Sequence, residues 1–110
     1  SNEELTKLIQ ACETAARKLK MARVLSEAEL IEEAQAPILE AALHIMKALA
    51  VRHRADEPTD LREGLRPPFS LHWGEALMDL KIFIVDSGAD IQPVMKALTG
   101  SLEAIQEWVK

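Results

Sequence analysis

Apolar residues recur three or four positions apart along most of the chain, the spacing that lines one face of an α-helix. The first such stripe is Leu5, Leu8, Cys12, Ala15, Leu19 and Ala22, which predicts a helix over about 3–24. Asn2 is placed to cap it. Glu3 and Glu4 suit the positive end of its dipole, and Arg17, Lys18, Lys20 and Arg23 the negative end. Extending the same phase would bury Ser26, Glu29 and Glu33, so the stripe ends near Leu25. Ser26 with Glu29 reads as a capping box that opens a second helix over about 27–54. Its stripe is Ile31, Ala34, Ile38, Ala42, Ile45 and Leu49. The phase is kept across Pro37, so a kink is expected there; the rival reading is a break with a fresh helix starting at Pro37.

Residues 55–70 carry Pro58, Gly64, Pro67 and Pro68 and read as one long loop, with room for a helical turn around Asp60–Glu63. A third helix is expected over about 71–87, stopping at Ser87 and Gly88. Its stretch from Ala76 to Val85 is apolar enough to resemble a strand, but a lone strand would have no partner. A fourth helix over about 91–110 has Asp90 as its cap, Pro93 in its first turn, and Ile91, Val94, Leu98, Leu102, Ile105 and Val109 as its stripe. Gly100 inside it suggests a close helix approach or a slight bend. Short connections between helices one and two and between three and four make the expected fold an all-α, antiparallel, up-and-down four-helix bundle.

Composition agrees with helices. The 110 residues fit a single domain, with no Tyr, four Gly and a 48% apolar share that is rich in Ala. The net charge of −5 argues against a general nucleic-acid binder. Cys12 is the only cysteine, so no intrachain disulfide or Cys-based zinc site is expected; a buried thiol and a reducing, cytoplasmic setting are. No uninterrupted apolar run reaches the ~18 residues of a membrane span, and no membrane role is expected. The missing initiator Met raises the expectation that the domain belongs to a larger protein.

Up-and-down topology gathers Arg52, His53, Arg54, Arg62, Arg66, His72, Trp73 and Trp108 at the pole of the long loop. Two roles are open there. The tryptophans either plug the end of the core, or they anchor a partner together with the arginines, since Trp and Arg are enriched at binding hot spots. Apolar side chains expected to be exposed, Phe69, Trp73, Met78, Phe83 and Trp108, favour a partner, and the run 77–85 is apolar on more than one face.

Three patterns could carry chemistry. His44 shares a helix face with Glu40, Lys47 and Val51, a face expected to be solvent-exposed. His44-x-x-Lys47 on such a face of a small bundle resembles histidine phosphotransfer domains, although Ala48 stands where they usually have Gly. The resemblance implies an imidazole that accepts a phosphoryl group and a lysine that offsets its charge. Arg66 and His72 are spaced as in small helical HEPN ribonucleases, which they resemble over that short motif; a pair acting on phosphate and 2′-hydroxyl is implied. Glu40 with His44, and His72 with Glu75, are spaced to share a metal ion, but di-metal bundles use paired inward Glu-x-x-His motifs. No metal or cofactor is expected. The leading expectation is a non-catalytic interaction module or adaptor that binds a protein partner or forms a homo-oligomer.

Overall fold

The computed structural model describes every residue except Ser87. All regular elements among the described residues are helical: α1 (Asn2–Glu27), α2 (Ile31–His53), α3 (Leu61–Gly64), a 3₁₀ turn (Phe69–Trp73), α4 (Ala76–Val85) and α5 (Gln92–Val109). The chain is all-α, as its periodicity implies. The helix stop expected at Ser87 and Gly88 includes the residue outside the described set.

The long antiparallel pair α1 and α2 is the backbone of the fold, and α5 lies against both. Small side chains explain the pairing. Ala11, Ala15 and Ala22 of α1 and Ala34, Ala41, Ala42 and Ala48 of α2 are buried, so the two helices approach closely. Larger side chains fill the space shared with α5: Leu8, Leu19, Ile38, Ile45, Leu98 and Ile105 are all but inaccessible. By length and composition α2 is apolar enough to cross a bilayer. Its apolar stripe is instead largely buried against the other helices. α4 is placed differently. It packs on α5 and beside the 3₁₀ turn, and makes little contact with the α1–α2 pair.

Several local expectations are corrected. Ser1, not Asn2, caps α1: its hydroxyl accepts the Glu4 amide at 3.2 Å while its ammonium donates to the Glu4 carboxylate at 3.1 Å. Ser26 opens no helix. It lies in the last turn of α1, and its hydroxyl accepts from the Gln92 side chain at 3.1 Å. The α1–α2 turn closes through backbone bonds, Glu29 N–H to the Ser26 carbonyl and Leu30 N–H to the Leu25 carbonyl. That closure places Glu29 at φ 63°, the left-handed conformation that glycine favours.

α2 runs through Pro37 without a break. The proline removes the hydrogen bond to the Glu33 carbonyl, a loss offset by burying Pro37 and Ile38 in the core. The expected third helix is shorter than 71–87, because Gly74 takes φ 59° and interrupts it, leaving 3₁₀ turns before Ala76. Leu5 and Ile31, expected in the core, are 43% and 41% exposed, since both lie at the open ends of their helices. Gly100 marks no close approach: a Cβ there would meet nothing within 4 Å. Ile91, not Asp90, is the N-cap of α5; the Asp90 carboxylate, one residue earlier, accepts the Gln92 amide at 3.0 Å.

Candidate functional site

The 55–75 segment is folded onto the body rather than held out in solvent. Asp60 caps α3 by accepting the Glu63 amide at 2.8 Å. Leu61, Leu65, Phe69 and Trp73, four residues apart, bring the segment back against α2 and the interior. The indole N–H of Trp73 donates to the buried Gly64 carbonyl at 3.0 Å, tying the 3₁₀ turn to α3. A Cβ at Gly64 would overlap the Met46 thioether, so any larger residue there would force the buried Met46 side chain to shift. This spacing of four was the sequence signal that the loop is an ordered, inward-facing element.

The residues assigned to the long-loop pole separate into three groups. At the pole itself, the Arg52 guanidinium stands 5.7 Å over the half-exposed Trp108 ring. The Glu4 carboxyl is held below its usual value mainly by the terminal ammonium and the Ser1 hydroxyl, and in small part by Arg54, so α2 ends beside the start of α1. His53 and His72 stack at 4.2 Å between ring centroids, and the Phe69 and His72 rings meet edge to face with centroids 5.2 Å apart. Burial, then the charges of His72 and Arg52, push the His53 imidazole below its ordinary value.

The second group is interior. Phe69, Trp73 and Phe83 are 6%, 3% and 2% exposed, so the expectation that they form a contact surface is corrected. Trp73 plugs the core and satisfies its N–H; Trp108 does not. The third group turns toward the flank of α2. Arg62 and Arg66 edge an open groove with Leu39 and Ile84, and Arg66 also lines a hollow with Arg54 and His72 on the side of the pole.

The chemical candidates are dispersed. His44 is half-buried rather than exposed, set against Lys7, Thr14 and Lys47 in a shallow hollow beside α1. Burial, and then the Lys47 charge, lower its pKa. Glu40 does not face a metal with it but pairs with Lys18 at 2.7 Å. Arg66 and His72 line a shared hollow near Pro67 and Pro68, and His72 is engaged by His53. Among the described residues no three His, Cys, Asp or Glu side chains gather as a metal site. Cys12 is buried, and desolvation raises its thiol pKa.

The most unusual surface is the outer side of α4. The helix buries Ala76, Leu80 and Phe83 but leaves Met78, Ile82, Ile84 and Val85 exposed, Val85 to 88%. Met78, Ile82 and Val85 follow i, i+4, i+7 spacing and form one outward stripe. Ile84 and Val85 continue into the groove, about 810 Å³ in volume, whose other wall is Leu39 and Leu43 of α2 with Leu61 and Leu65 of the α3 segment. The sequence pointed to the apolar 77–85 run. It did not reveal the groove, because Leu39 and Leu43 stand off the α2 stripe and their neighbours come from the loop. No protein-family model, curated protein or solved structure matches this chain.

Proposed function

We propose that this domain is a lopsided four-helix bundle working as a non-catalytic protein-interaction module, with α4 as its outlying fourth helix. The docking surface is the outward stripe of α4 together with the groove beside it. One observation carries the reading: four apolar side chains of α4, Met78, Ile82, Ile84 and Val85, with Leu39 across the groove, are exposed to solvent. Together they expose an apolar patch of roughly 500 Å², at the upper end for a monomer that docks nothing. Burying it would stabilise a complex by about 12 kcal/mol before the cost of association is subtracted.

The dispersal of the titratable groups supports the non-catalytic part of the reading. His44 leans on α1, His72 stacks on His53, and Glu40 is held by Lys18. A photo-crosslinking amino acid at Val85, compared with one at the exposed far-side position Glu13, tests the proposal in the native cell. Discrete protein adducts from position 85 alone are expected. Equal adducts from both positions, or none from position 85, would sink it.

A further inference from the structure

We infer that the groove between α2, α3 and α4 receives an acidic amphipathic helix from another protein. The inference rests on the docking reading above and names its partner chemistry. The floor is apolar, built by Leu39, Leu43, Leu61, Leu65, Ile84 and Val85, and the groove is a surface trough rather than an enclosed cavity. A trough of this kind takes the i, i+3, i+4, i+7 side chains of an amphipathic helix. Leu39 and Leu43 lie one turn apart on one wall, matching one turn of such a helix.

The rim fixes the sign of the partner. It carries Arg62, Arg66 and Lys81 against Glu40 and Asp60. The Lys18 ammonium offsets Glu40 at 2.7 Å, while Asp60 caps α3 through the neutral Glu63 amide at 2.8 Å and keeps its charge, one carboxylate against three cations. None of the three cations makes a hydrogen bond or ion pair among the described residues. The net uncommitted charge around the groove is therefore positive, in a chain of net charge −5. Arg62 and Arg66 stand on the α3 wall and Lys81 on the α4 wall, so carboxylates on both flanks of a docked helix meet cations. Guanidinium groups take carboxylates in two-point contacts, which favours Glu and Asp flanks over neutral ones. An apolar floor between three separated cations does not suit a nucleic-acid backbone, which needs a continuous basic track.

The test uses the full chain and a fluorescent synthetic helix of about 18 residues, with Leu at i, i+3, i+4, i+7 and Glu on both flanks. A control peptide has Lys in place of every Glu. Anisotropy titration is expected to show the Glu peptide binding at least tenfold tighter than the Lys peptide, and weakening several-fold between about 50 and about 500 mM salt. The exposed-site variant R62E/R66E/K81E, checked for native helicity, is expected to reverse the preference. Val85→Glu is expected to weaken both peptides. Equal affinity for the two peptides, or an unchanged preference in the triple variant, overturns the inference. So does a concentration-dependent dimer that closes the groove to both peptides, which would assign it to a second copy of this chain. Val85 crosslinks in the cell without Glu-peptide binding would leave the docking reading standing and remove only the acidic helix; absence of both would remove both.

Discussion

Replacing Trp73 by Phe isolates what holds the 55–75 segment to the body. The indole is 3% exposed, and its N–H is the donor to the buried Gly64 carbonyl at 3.0 Å. Phe keeps an aromatic ring but removes that donor, so the carbonyl is left without it at a cost of about 1–3 kcal/mol. The smaller ring leaves a void that adds about 1 kcal/mol. The expected loss is thus about 2–4 kcal/mol, a large fraction of the stability of a small domain. Melting should fall by roughly 10–20 °C. Urea unfolding followed by far-UV circular dichroism measures the difference, with Leu71→Ala as the control, since Leu71 is 80% exposed and its truncation should stay within about 0.5 kcal/mol. Amide exchange should quicken most across residues 61–73. A Trp73→Phe protein within about 0.5 kcal/mol of the parent would refute the argument that this hydrogen bond ties the segment down.

Two substitutions in opposite chemical directions are both expected to stabilise. Gly100→Ala adds a Cβ in open space inside α5 and should gain up to about 1 kcal/mol in urea unfolding. Glu29→Gly relieves a left-handed residue at φ 63° and should gain a few tenths to about 1 kcal/mol. His44 and His53 both have folded-state pKa values below the usual 6.5, burial being the first cause for each. The unfolded chain therefore binds more protons in the window between those lowered values and 6.5. Their contribution is fully present above about pH 6.5 and is lost as pH falls through the folded values. Melting scans from pH 7.5 to 5.5 should show the decline, and the His44→Gln, His53→Gln protein should show a shallower one. Cys12 should react with a thiol reagent only on unfolding, as its rate followed against urea concentration will show.

The elements whose core stripe is long and regular were legible in the sequence. Along α5, Val94, Leu98, Leu102 and Ile105 are buried as their spacing requires, and along α2 the stripe from Ala34 to Leu49 is interior despite Pro37. Helix ends were less legible, because competing caps look alike in sequence. Ser26 and Glu29 have capping-box spacing, yet the backbone closure at Leu25 and Leu30 takes precedence, and Ser26 bonds to Gln92 instead. The inward packing of the loop was not legible, for a tertiary reason. Prolines at 58, 67 and 68 signalled irregular backbone correctly, but not that Leu65, Phe69 and Trp73 turn inward. The apolar surface of α4 was visible as a run with too few polar positions. The groove, made by residues distant in sequence, was not.

Carbene footprinting of the side chains, in isolated protein and again in the native cell, tests the docking surface most directly. Met78, Ile82 and Val85 should label heavily in the isolated chain and be protected in the cell, while Leu5 and Ile9 on α1 label equally in both. Unprotected α4 residues in the cell, or protection confined to α1, would contradict the account.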